Sequence, residues 1–111
     1  MSKFDEKVAQ YEGSMKDLGI SFNADLFSKV TKGLGPSIYK KDAETVSGSD
    51  PKELETVKKN FLMKKLGLPD SPKLDNAIEK VIEKMGKSNR NKYRAIVYYL
   101  LVKELGQESK Y

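Results

Sequence analysis

Between Lys87 and Lys103 the 111-residue chain carries no acidic side chain, and Lys87, Arg90, Lys92 and Arg94 crowd eight positions with Asn89, Asn91 and Tyr93 between them. Cations interleaved with amides suit phosphate: ammonium and guanidinium groups neutralise its charge, and an Asn or Arg fork can reach base edges. Ser88 or Asn89, near the start of the run, reads as the N-cap of a final helix. That start would set four cations at the positive end of the helix dipole, where each costs about 0.3–1 kcal/mol when exposed. A compensating anion is then expected. It is either an external phosphate, helped by the free amides of the helix start, or a protein carboxylate such as Asp42 or Glu44 folded against the segment. The candidate anion or nucleic-acid site is Lys87, Asn89, Arg90, Asn91, Lys92 and Arg94. The apolar run from Ala95 onward limits such contacts to the first turn or two, which argues against deep insertion into a major groove.

Other chemistry is scarce. The chain has no histidine, cysteine or tryptophan, so zinc, haem and iron–sulfur sites, thiol catalysis and Ser-His triads are not expected. Gly33-Leu34-Gly35-Pro36-Ser37 is glycine-rich, but it lacks the lysine-hydroxyl ending of a phosphate loop, and Pro36 removes a donor. It reads as a structural turn. Asp5, Glu6, Asp42 and Glu44 are carboxylates with no second functional group fixed near them. Lys64 and Lys65 sit in the last turn of a predicted helix, where the dipole favours them, and Lys40, Lys41, Lys58 and Lys59 serve solubility. Tyr98 and Tyr99 have the chemistry of base-stacking platforms, yet between Val97 and Leu100 they read as core. No catalytic residue, cofactor or metal ligand is assigned.

The composition bounds the class. With 38% hydrophobic and 33% charged residues the chain is a globule with a polar surface, of a length that suits one domain over residues 1–111. The net charge of +5 is uneven: residues 1–50 carry −1, residues 51–86 carry +2 and residues 87–111 carry +4. The start of the chain is polar, without the pattern of a signal peptide, and the longest apolar run, Ala95–Val102, is too short to span a bilayer. These features, with the absent cysteines, predict a soluble cytoplasmic protein with no membrane contact.

The elements that must position the basic segment are helices divided by glycines. Phe4, Val8, Tyr11, Met15 and Leu18 form one stripe, which predicts a first helix from Lys3 to Leu18 ended by Gly19. Asn23 caps a second, shorter helix bearing Leu26, Phe27 and Val30 and closed by Gly33. Residues 33–50 are turn-rich, with Ile38, Tyr39 and Val46 as anchors and a single helical turn near Asp42–Thr45. Asp50, Pro51 and Glu53 form the start signal of a third helix whose buried face is Leu54, Val57, Phe61, Leu62 and Leu66. Ser71-Pro72 opens a fourth, bearing Leu74, Ala77, Ile78, Val81, Ile82 and Met85 before Gly86. The last helix runs to Leu105, and its apolar residues cover the whole circumference, as in a central helix. No period-2 alternation of useful length occurs, so the expectation is a compact single-domain all-α array of about five helices, of which the C-terminal one is buried at the hub. Ile96, Val97, Leu100, Leu101, Phe61, Leu62 and Ile78 are its predicted centre.

The strings Thr31-Lys32-Gly33-Leu34-Gly35-Pro36-Ser37-Ile38-Tyr39, Glu53-Leu54-Glu55-Thr56-Val57-Lys58-Lys59-Asn60-Phe61-Leu62 and Ser88-Asn89-Arg90-Asn91-Lys92-Tyr93-Arg94 resemble a small bacterial family classed as a domain of unknown function, DUF2853. The resemblance extends over nearly the whole chain. It implies an all-helical cytosolic protein and brings no activity and no functional residues with it. The residues themselves support a small accessory binding module that contacts nucleic acid or another polyanion. The alternative is a protein–protein adaptor with an exposed apolar patch and charge for solubility alone.

Overall fold

The stripe from Phe4 to Leu18 folds as α1 (Lys3–Asp17), with Tyr11 and Met15 fully buried. The computed structural model describes residues 3–40, 44–46, 50–86 and 92–111. Asn23 caps α2 (Ala24–Gly33), its side chain accepting from the Leu26 amide at 3.1 Å, and Phe27, Val30 and Thr31 face inward. A short 3-10 turn, Gly35–Tyr39, follows. It buries Ile38, whereas Tyr39 stands 46% exposed and is no core anchor. Val46 is buried as expected. The Glu44 amide donates to Lys40 O at 2.8 Å, while Asp42 and the Ser47-Gly48-Ser49 turn lie outside the described residues.

Asp50 caps α3 as its type and place predict, accepting from the Lys52 amide at 3.0 Å with Pro51 in the first position. The helix begins as α over Pro51–Thr56 and continues as a π-helix over Val57–Lys65. The Leu66 amide reaches back five residues to Phe61 O at 2.9 Å, the bond of a π register. This widening departs from the expected α-helix, and its cause is packing. Val57 and Leu66 are both buried, but nine residues are about two and a half α-turns, which would set them on opposite faces. In the wider register nine residues make about two turns, and Val57, Phe61, Leu62 and Leu66 share one inner face.

Next, α4 (Pro72–Met85) presents Leu74, Ala77, Ile78, Val81, Ile82 and Met85 to the core. Ser71 stands at its N-cap position without a side-chain cap bond, so Pro72 alone carries the start signal. The final helix, α5 (Arg94–Glu104), buries every residue from Ala95 to Val102. It packs against α2 and α4, with α1 beside it, which makes it the hub the all-round apolar pattern requires. All seven predicted central residues are buried. A last 3-10 turn, Glu108–Lys110, brings Tyr111 back toward α2 and α3.

Helix accounts for 75% of the described residues, and among them there is no strand. The one extended contact is an isolated antiparallel bridge between Thr45 and Tyr93. The radius of gyration, 12.9 Å, equals the ~13 Å of a compact chain of about 100 residues. No helix among the described residues is long and apolar enough to cross a membrane.

Candidate functional site

Of the six predicted site residues, Lys87, Asn89, Arg90 and Asn91 lie outside the described residues, as does the proposed cap Ser88. The other two, Lys92 and Arg94, are placed, and their setting differs from the predicted one. The helix begins at Arg94, with Tyr93 extended at its N-cap position (φ −59°, ψ 132°) and no side-chain cap bond. The reason is a long-range pairing: the Val46 amide donates to Lys92 O at 2.8 Å beside the Thr45–Tyr93 bridge. Residues 92 and 93 are held as extended backbone, so a helix start at Ser88 or Asn89 does not extend through them. Arg94 is thus the predicted cation that sits in the helix's first turn. Lys92 is 4% exposed, and burial pushes its ammonium below the usual lysine range.

Arg94 is bound into the protein. Its Nη2 donates to Glu53 Oε1 at 2.5 Å and its Nη1 to the Tyr98 hydroxyl at 3.0 Å, and the guanidinium carbon lies 5.6 Å from the Tyr98 ring centroid. Burial alone would lower its pKa, but the Tyr98 hydroxyl and the Glu53 carboxylate outweigh that and hold it above its ordinary value. Glu53, placed by sequence as the second half of a capping box, therefore turns toward α5. Glu44 is also committed elsewhere: it accepts from Lys7 Nζ and from the Tyr11 hydroxyl, both at 2.6 Å. Burial, then the hydrogen bond to Glu44, pushes the Tyr11 hydroxyl well above the ordinary tyrosine range. Gln10 Nε2 donates to the Tyr93 hydroxyl at 3.0 Å, so α1 grips both sides of the 45–93 bridge.

The two candidate stacking tyrosines are core, as their neighbours predict. Tyr99 is 1% exposed, packs edge-on against Phe27 and accepts from the Asn23 amide at 2.7 Å. Tyr98 is stacked on Phe61, centroids 4.0 Å apart and planes 14° from parallel.

That stacked pair forms part of the wall of an open groove of about 390 Å³ between α2, α3, α5 and the C-terminal turn. The end of α2 supplies Val30 and Gly33, with Leu34 following. Thr56, Asn60, Phe61 and Lys65 come from α3, Arg94 and Tyr98 from α5, and Tyr111 closes one end. Over Gly33, where a Cβ would sit, the Tyr111 ring edge is 3.8 Å away and Lys65 Nζ 4.0 Å. Lys65 makes no ion pair among the described residues, whereas Thr56 Oγ1 is spent on Lys52 O at 2.9 Å. Lys110 Nζ donates to Leu66 O at the end of the π-helix and pins the C-terminal turn beside the groove. Such an arrangement suits reversible binding, with apolar and aromatic walls and a few convergent polar groups.

Sequence reasoning reached Arg94 but set Lys65 aside as a dipole-favoured lysine and did not single out Asn60 or Tyr111. A signal was present in the spacing. Thr56, Asn60, Phe61 and Lys65 repeat the 4, 1, 4 intervals of the buried residues Val57, Phe61, Leu62 and Leu66, and each set falls on one narrow face only in the wide register. Among the described residues no group of three or more acidic side chains is placed to hold a metal ion.

Comparison with known proteins bears on the whole chain. The sequence profile of one family, described as a protein of unknown function (DUF2853), matches residues 9–109. No curated protein matches the chain.

Proposed function

The chain belongs to this family of unknown function, and we propose that it is a small, non-enzymatic cytoplasmic binding protein that contacts nucleic acid or another polyanion through its surplus cations. The observation that carries this reading is the division between surface and core. Tyr39 is the exposed large hydrophobic among the described residues, while the chain carries 21 cations against 16 acids. A surface of that kind attaches by charge. The adaptor reading needs a contiguous apolar patch, and one tyrosine does not form one. Zero cysteine supports the reducing compartment. With Lys92 buried and Arg94 held by Glu53, phosphate contacts in the basic segment fall to Lys87 and Arg90, with Asn89 and Asn91 between them.

Fluorescence anisotropy with short DNA and RNA at about 50 and about 200 mM salt tests this. Native protein should bind at low salt and weaken steeply at the higher concentration. The Lys87→Ala/Arg90→Ala variant should bind more weakly across sequences, with the salt slope reduced by about one unit per lost contact. Arg94 is left intact, because its removal would strand Glu53 and confuse binding with stability. Absence of binding, or affinity that ignores salt, refutes the reading.

A further inference from the structure

We propose that the groove between α2, α3 and α5 is a binding site for a small aromatic anion, a planar ring carrying one carboxylate or phosphate group. The site goes beyond polyanion contact and uses none of the residues between 87 and 91, so either can fail alone.

Three features converge on this class of ligand. The first is charge. The Lys65 ammonium reaches the groove from the last turn of the π-helix and hangs over Gly33, without an ion pair among the described residues. Arg94 also lines the groove, with its charge offset by Glu53, so Lys65 is the cation left to receive an acid group, and the exposed Asn60 amide of the same lining supplies a further donor. The second is shape. Tyr111 and the Phe61–Tyr98 stack give aromatic walls, and a volume of about 390 Å³ lies within the roughly 300–1,000 Å³ typical of small-molecule sites. A bare inorganic anion would leave those walls unused, and a neutral ring would leave Lys65 unused.

The third feature is the backbone that builds the site. Thr56 and Lys65 are nine residues apart, about two and a half α-turns, so a regular α-helix would send Lys65 to the opposite side from Thr56. The π register over Val57–Lys65 brings both to the groove. Wide turns of this kind interrupt α-helices frequently at functional sites. Gly33 completes the site from below: its missing side chain leaves the floor open beneath Lys65 and Tyr111.

Amide chemical-shift mapping on the full chain tests the proposal, with adenosine 5′-monophosphate and 2-naphthoate as the aromatic anions. Adenosine and inorganic phosphate serve as the two halves. At least one aromatic anion should shift the amides of Gly33, Asn60, Lys65 and Tyr111 in a saturable way, and each half should bind at least tenfold more weakly. Lys65→Ala should weaken the binding about tenfold, and Lys65→Arg should retain most of it. Because Lys65 is exposed, an unchanged melting temperature in both variants assigns the loss to the site. If neither aromatic anion shifts those amides at millimolar concentration, or if Lys65→Ala binds as the native protein does, the proposal is wrong. Response to phosphate equal to that of the aromatic anions also overturns it, since the groove would then read charge alone.

Discussion

Helices α3 and α4 open with the same grammar, Asp50-Pro51 and Ser71-Pro72, and then diverge. In α4 the buried residues recur at intervals of 3, 1, 3, 1 and 3, which closes on a period near 3.5, and the helix stays α from Pro72 to Met85. In α3 the buried set Val57, Phe61, Leu62, Leu66 recurs at 4, 1 and 4, and the helix opens into π register. The difference shows that the period of the apolar residues decides the backbone when the core can reward it. It also has a consequence on the outer side. In α4 the exposed face is a solvated row of Lys73, Asp75, Glu79, Lys80, Glu83 and Lys84, whereas the widened turn of α3 gathers Asn60 and Lys65 over a groove.

Truncating the inner face of α3 should have the largest effect. Leu62 is fully buried, so Leu62→Ala should cost about 2–5 kcal/mol in urea unfolding, as Ile82→Ala should in α4. A loss below about 1 kcal/mol at Leu62 would show that the π segment is loosely packed and that the two helices differ in order as well as in register.

Arg94→Ala comes next. The pair with Glu53 is largely covered, with side-chain exposures of 13% and 26%, and its removal leaves a half-buried carboxylate and the Tyr98 hydroxyl without their donor. The expected loss is about 1–3 kcal/mol, and the double variant Arg94→Ala/Glu53→Gln should recover part of it. Failure to recover would mean that Arg94 acts through packing on Tyr98 alone.

Gly33→Ala should act in the opposite direction. Gly33 is the last residue of α2, and an added Cβ meets its nearest neighbours at ordinary contact distances. A gain of up to about 1 kcal/mol is expected from the improved helix propensity, read as a raised melting temperature. The smallest effect belongs to the outer face of α3, where Glu55 and Lys59 pair one turn apart at 2.9 Å with side chains 59% and 64% exposed. Lys59→Ala should lower the melting temperature only slightly, because water and salt screen an exposed pair. A larger loss would mean that the outer face is coupled to the π turn that follows it.

Much of this was legible in the residues. Stripes and caps placed α1, α2, the start of α3, α4 and the central helix because those signals are local: Asn23 meets Leu26, and Asp50 meets Lys52. What escaped was long-range. Ser88 and Asn89 carry good cap chemistry, but the pairing of Val46 with Lys92 holds residues 92 and 93 extended just ahead of Arg94, and a partner 46 positions away leaves no mark in the neighbouring sequence. Glu53 likewise had a local role on offer as a capping-box acid and took a distant one with Arg94. The π register stands between these cases. Its nine-residue spacing was there to be read, but an α-helix with a broad apolar face accommodates the same letters, and the core alone distinguishes the two. The groove was hidden for the same reason, since Lys65 reaches it by that register.

The central claim is that α3 turns wide and thereby brings Lys65 over Gly33. Nuclear Overhauser contacts in the free protein test it most directly. Cross-peaks from the Lys65 side-chain methylenes to the Gly33 α-protons and the Tyr111 ring, together with an exchange-protected Leu66 amide bonded to Phe61 O, are the predicted result. Protection of the Leu66 amide through the Leu62 carbonyl, with Lys65 showing no contact to Gly33 or Tyr111, would contradict it.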